Sequence, residues 1–364
     1  MKLHKMQVVL FKIRRYSDFV LFSAVGTSIH ARRQIAIVRD DKKELSKSFW
    51  SILIIRLIGV TISLILYLTF TLGCMEHKLI YLCCSLDIIS VFFDISWFYQ
   101  GLELYGKITK INGISKIISV ASIFLFVHSK TDVILYILCI GGFSLLGNVF
   151  LWSLLKNKIY WRVKIETDEI KRHLKYSVKL LLPQVSIQVY TVLDKTMIGI
   201  ITKSEIENGY YEQAQKICRA LLTLTTAPGL VIIPQVAYLW GNNQREKVSG
   251  LIYRNFRLLF AMSFPIICGV LVLADLFVPL YFGQGYESVV FLMRILVFLT
   301  FVAGVSSILG SQYLIPTQRE QIYTCAVLIS AISNVVLNLI LIRHYASKGA
   351  VIASIVAEII GMLY

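Results

Sequence analysis

Charge is scarce in this 364-residue chain. Asp, Glu, Lys and Arg make up 16% of it, against 57% hydrophobic residues and a mean hydropathy of +0.71. A soluble domain carries about a quarter charged residues, so the deficit excludes one and points to a polytopic membrane protein. Acidic residues are scarcer than basic ones, 21 to 37, giving a net charge of +16. No basic, aromatic-interleaved soluble domain accompanies that surplus, so a nucleic-acid partner is set aside. Cysteine in metal-binding patterns is also missing. Cys74, Cys83, Cys84, Cys139, Cys218, Cys268 and Cys325 sit almost entirely inside apolar runs, with no Cys-x-x-Cys or Cys/His group, and read as small buried hydrophobes. No metal site and no cofactor is expected. There is no Asn-x-Ser/Thr acceptor, in keeping with a bacterial membrane. Met1 to Arg15 is basic and only briefly apolar, so a cleavable signal is not expected there.

Catalytic signatures are absent too. No His-Glu-x-x-His, Gly-x-Ser-x-Gly or Asp-x-Asp site with a soluble domain around it occurs, so an enzyme is not expected. GLELYGK (Gly101 to Lys107) resembles the start of a phosphate-binding loop, but Ile108 stands where a Ser or Thr must reach Mg²⁺ and a membrane helix precedes it. Proline is missing until Pro183, and all six prolines fall in the second half. That half is expected to be the more deformable, because proline frees a helix carbonyl.

What the chain does have is long apolar runs. After a short segment at 18–29 and a charged loop, ARRQIAIVRDDKKELSK, they fall at 49–72, 79–100, 111–127, 132–155, 176–202, 209–240, 256–281, 289–315, 320–342 and 348–364. The fold class is therefore all-α, a polytopic membrane helix bundle. Alternate connectors differ in charge. Those around 32–47, 107–110, 156–175, 245–257 and 319 hold twenty Lys and Arg, whereas the intervening turns hold five: Lys78, Lys130, Lys203, Arg343 and Lys348. By the positive-inside rule the first set is cytoplasmic. The longest and most charged connector, 156–175, separates an N-terminal helical lobe (1–155) from a C-terminal one (176–364). A faint echo between QIAIVRDDKKELSK (34–47) and QVAYLWGNNQREKVS (235–249) suggests a repeat.

Charges inside the spans mark the candidate site. In 174–202, Gln184, Gln188, Thr191, Lys195 and Thr202 share one helical stripe beside Asp194, and in 209–240 Glu212, Lys216, Arg219, Thr223 and Thr226 form another. The two spans meet at a turn near 205–207. A hairpin would bring Asp194 and Lys195 level with Lys216 and Arg219 and leave surplus positive charge, even with Asp194 paired to Arg219 and Glu212 to Lys216. In the first lobe, Asp87, Ser90, Asp94, Trp97 and Gly101 lie on one stripe, and Arg56 lies within the preceding long span. A carboxylate at that depth relays a proton or holds Na⁺, or pairs with Arg56 for folding.

RRQIAIVRDDKKELSK, DISWFYQGLE (94–103), IKRHLK (170–175), LDKTMIG (193–199), GYYEQAQK (209–216) and GSQYLIP (310–316), in that order, resemble the lipid-linked oligosaccharide (O-antigen, polysaccharide repeat-unit) flippases of the multidrug and polysaccharide exporter superfamily. The resemblance covers about residues 19–364. It implies two six-helix lobes around a cavity, and transport of undecaprenyl-pyrophosphate-linked oligosaccharide across the bacterial inner membrane by alternating access, with H⁺ or Na⁺ coupling. Membrane lipids surround such a protein, and the polymerase and chain-length proteins of the same pathway are its expected partners. Lys195, Lys216, Arg219, Arg56, Gln100, Gln188 and Gln184 would contact substrate, and Asp94, Asp194, Asp87 and Glu212 would couple or pair charges. Against the family pattern the first helix is expected to be missing and the last truncated, leaving about eleven, so an inactive copy is one alternative. A cation-coupled multidrug exporter is the other.

Overall fold

A computed structural model describes residues 16–74, 78–129 and 132–364. Met1 to Arg15 and Lys130 lie outside the described residues. Among those described, regular structure is entirely helical: α1 (Tyr16–Ser23), α2 (Thr27–Val38), α3 (Lys42–Cys74), α4 (Lys78–Phe93), α5 (Ser96–Gly101), α6 (Tyr105–Phe126), α7 (Val133–Ser153), α8 (Thr167–Thr202), α9 (Glu205–Gly241), α10 (Arg245–Phe282), α11 (Glu287–Leu296), α12 (Leu299–Ser307), a π-helical turn (Ile308–Leu314) and α13 (Glu320–Leu363). Among the described residues eight helical stretches are long and apolar enough to cross a membrane, and α8 with its polar stripe is not one of them. Each of the ten long apolar runs is largely helical, although the run 79–100 is divided between α4 and α5 and the run 289–315 among α11, α12 and the π-helical turn. The last two share α13, which breaks at Ala346 (φ 50°, ψ −131°). Ser330 Oγ donates to Ala357 O at 2.9 Å, so the two halves of α13 lie side by side as a hairpin. Gly361 fits that hairpin closely: a Cβ there would lie 2.9 Å from Ser330 Cβ and 3.0 Å from Ala326 O.

Two expectations are corrected. The charged segment after Ile29 is not a loop, because α2 runs through it to Val38. Ala31, Ile35 and Ala36 recur at helical spacing and are fully buried, which holds that stretch in a helix and shrinks the connector to 39–41. Asp41 then caps α3, its Oδ1 accepting from Lys43 N (2.8 Å) and Glu44 N (3.2 Å). The stripe through 87–101 also breaks, because α4 ends at Phe93. Asp94 Oδ1 accepts from Ser96 N at 2.9 Å, and α5 turns Trp97 into the core, stacked on Phe49.

The chain forms two compact units, dividing at Leu181/Leu182 inside α8. The 156–175 connector falls within the first unit because its side chains and backbone are held there. Ile159 joins the core of Phe49, Trp97 and Leu151, Trp50 Nε1 donates to Tyr160 O (3.0 Å), and Tyr160 N donates to Ser46 Oγ (2.9 Å). In the same unit His30 and His173 are buried and share a hydrogen bond of 2.9 Å, with Tyr176 stacked on His30. Burial and the nearby Arg33 charge hold His30 well below its ordinary pKa. Burial, with Arg172 and Arg33, pushes His173 down to about 4. The second unit is built on a core of Ile198, Tyr211, Val289, Leu292 and Val351.

Candidate functional site

In the second unit α8, α9 and α13 converge on Asp194, which is 2% exposed. An anionic carboxylate in an apolar interior is costly unless it is paired or hydrogen-bonded, and here its partners are neutral. Tyr211 Oη on α9 donates to Oδ2 at 2.9 Å, Ser354 Oγ in the second half of α13 donates to Oδ2 at 3.1 Å, and Asn338 Nδ2 in the first half donates to Oδ1 at 2.6 Å. Gln215 Nε2 supports the Tyr211 hydroxyl at 3.3 Å, and Asn338 Nδ2 also reaches Asn334 Oδ1 at 3.0 Å. Among the described residues no lysine or arginine forms an ion pair with Asp194. Asn338 Oδ1 and Asn334 Nδ2 are buried without partners, so the nest keeps one spare acceptor and one spare donor beside the carboxylate.

Lys195, the next residue on α8, leaves that nest and lies 3.4 Å from Glu212 Oε1 on α9. Lys216 Nζ lies 3.8 Å from the same oxygen. Arg219, three residues past Lys216, is exposed. The hairpin thus brings Lys195, Glu212 and Lys216 together, with Arg219 less than a turn away, and separates Asp194 from them. The sequence pairing of Glu212 with Lys216 appears, but Asp194 takes Tyr211, Asn338 and Ser354 in place of Arg219. The reason is helical phase: adjacent residues on α8 point about 100° apart. Gln184 and Gln188 are half-buried on α8, two turns and one turn before Thr191 respectively.

The first unit holds a separate polar cavity of about 380 Å³, lined by Asp87, Ser90, Asp94, Ser144 and Asn148. Asn148 Nδ2 donates to Ser90 Oγ (2.9 Å) and Ser90 O (3.2 Å). Arg56 is fully buried. It donates through Nε to Thr27 Oγ1 (3.1 Å), through Nη2 to Ser28 Oγ (2.6 Å) and through Nη1 to the backbone carbonyl of Asp94. The guanidinium therefore ties α2, α3 and the α4–α5 break together. Gln100 is half-buried at the end of α5, where its carbonyl accepts from Glu103 N (3.0 Å). Glu103 itself pairs with Arg39 at 2.5 Å, joining the DISWFYQGLE motif to the segment that follows α2.

Sequence reasoning missed Asn334, Asn338 and Ser354. Asn334 and Asn338 stand one turn apart in an apolar run, a helical spacing that could have marked them.

Residues 13–240 match a family model described as polysaccharide biosynthesis protein. A Shigella dysenteriae protein named as an O-antigen transporter is 24% identical over 343 residues, spanning 93% of this chain and 85% of its own length. A Haloferax volcanii protein named as a low-salt glycan biosynthesis flippase is 26% identical over 259 residues, 70% of this chain and 53% of its own. An outward-facing multidrug resistance MATE family transporter of the MOP superfamily superposes with a TM-score of 0.80 at 11% identity, covering 98% of this chain and 86% of that one, which shows a shared fold. These relatives are transporters and flippases, not enzymes. On the family match, this chain is a multi-pass membrane protein belonging to the polysaccharide biosynthesis protein family.

Proposed function

We propose that this protein is a flippase that moves undecaprenyl-pyrophosphate-linked oligosaccharide repeat units across the bacterial inner membrane by alternating access, with Asp194 taking up the coupling H⁺ or Na⁺. The observation that carries the reading is the separation of charge on the α8–α9 hairpin. One carboxylate is withdrawn into a nest of neutral donors, and Lys195, Lys216 and Arg219 are left with Glu212 on adjoining turns. Cations at helical spacing suit a pyrophosphate head group, to which Lys and Arg form charge-assisted hydrogen bonds. A lone hydrogen-bonded carboxylate with a spare amide oxygen beside it suits a small cation. The names carried by the relatives agree with a glycan substrate. The pathway's polymerase and chain-length proteins fit as partners of the product side.

The test is translocation of lipid-linked oligosaccharide in proteoliposomes. Lys195→Gln, Lys216→Gln or Arg219→Gln is expected to lower the rate roughly tenfold each, the loss of one charge-assisted contact. Normal rates in all three would overturn the anion-binding role. A second reading, export of organic cations, is favoured by the Asp87 and Asp94 carboxylates that line the first unit's cavity. It predicts uptake of a lipophilic cation that Asp87→Asn abolishes, with no translocation of the sugar lipid.

A further inference from the structure

The second unit contains a cavity of about 450 Å³ that the reading above does not use. α8, α12, the π-helical turn and α13 wall it, and its polar lining includes Tyr190, Ser306, Ser311, Tyr323, Ser330 and Glu358. Among the described residues Glu358 is the only acidic side chain that lines it, and no lysine or arginine side chain does. Among the described residues Glu358 forms no ion pair, and the buried Ser306 hydroxyl lies beside it. A carboxylate within a membrane helix, facing a cavity and lacking a counter-charge, is a functional group by default.

The cavity is linked to Asp194 by helical spacing. On α8, Tyr190 lines the cavity and Asp194 stands one turn later. In the second half of α13, Glu358 lines the cavity and Ser354, whose hydroxyl donates to Asp194, stands one turn earlier. In the first half of α13, Ser330 lines the cavity, and Asn334 and Asn338 follow at steps of four to the Asp194 nest. Three polar rows, each rising by one turn per rung, therefore run from the cavity to the buried carboxylate.

We infer that Glu358 is the proton-exchanging residue through which Asp194 is loaded, and that the cavity is the watered chamber where Glu358 meets protons. This rests on the coupling role proposed above for Asp194. The step is a transfer between two carboxyls: Glu358 gives up its proton and becomes a carboxylate, the Asp194 carboxylate accepts one and becomes neutral, and charge is conserved. Tyr190 and Ser354 hold the water and hydroxyl path between them.

A pH-jump infrared measurement on the purified protein in liposomes reads protonation of buried carboxyls directly and needs no substrate. The Asp194 signal is identified by its loss in Asp194→Asn. Glu358→Gln is expected to leave that signal in place but slow its rise by about a hundredfold, the contribution of a positioned proton donor. Glu358→Asp should restore most of the rate, and Ser306→Leu, which fills the chamber and keeps the carboxyl, should slow it as well. An unchanged rise in Glu358→Gln or in Ser306→Leu overturns the inference, as does an Asp194 that takes up no proton. If the wild-type protein takes up the proton through Glu358 yet moves no lipid-linked sugar, the flippase reading fails and the relay stands.

Discussion

At the scale of single residues, Arg56 shows how a charge inside a membrane protein can serve architecture. Each of its three nitrogens donates to a partner in the first unit, two to hydroxyls and one to a carbonyl. Arg56→Ala is expected to lower stability by about 3 kcal/mol, the upper end for hydrogen bonds to a charged group, read as a fall in the thermal midpoint of detergent-solubilised protein. The His30–His173 pair gives a pH prediction. Both imidazoles titrate below the ordinary value of about 6.5 when folded, so the unfolded chain binds more protons across that window. Their contribution is complete above about pH 6.5 and is lost as pH falls toward about 4. Hydrogen exchange at α2 should quicken over that range in the wild type, and His173→Gln should flatten the dependence.

At the scale of elements, the motifs that carried the family resemblance prove to be the places where helices meet. Glu103 of DISWFYQGLE pairs with Arg39, His173 of IKRHLK with His30, and Gln312 of GSQYLIP accepts from Asn255 Nδ2 beside Gly229. Span positions were legible because apolar runs and basic connectors repeat on the scale of a bilayer. Breaks were not. The turn between α1 and α2 depends on Gly26 (φ +68°), where a Cβ would lie 2.2 Å from Ser177 O, a contact between residues some 150 apart that no local pattern announces. Gly26→Ala is expected to destabilise the first unit by more than the roughly 1–2 kcal/mol of the left-handed penalty alone, seen as loss of folded protein in size-exclusion profiles. The Asp194 nest was half legible. Its charge stood out in an apolar run, but its partners are uncharged and come from α9 and α13, up to 160 residues away.

At the scale of the whole chain, alternation of basic connectors makes a topology prediction. In a cysteine-free background, Asn243→Cys should react with a membrane-impermeant maleimide only from the cytoplasmic side and Lys203→Cys only from the opposite one. Equal labelling from one side would refute the alternation. The two segments that echo each other in sequence, 34–47 and 235–249, also share a form: each closes a helix, makes a three-residue turn at 39–41 or 242–244, and opens the next helix. The hairpin within α13 has its own consequence for how such chains tolerate change in length. Asn338 and Ser354 reach one carboxylate from opposite sides of the bend at Ala346, so their meeting is set by the number of residues between them. One residue added or deleted in that bend would swing the later rung by about 100° and dismantle the Asp194 nest while every residue that forms it remains in place.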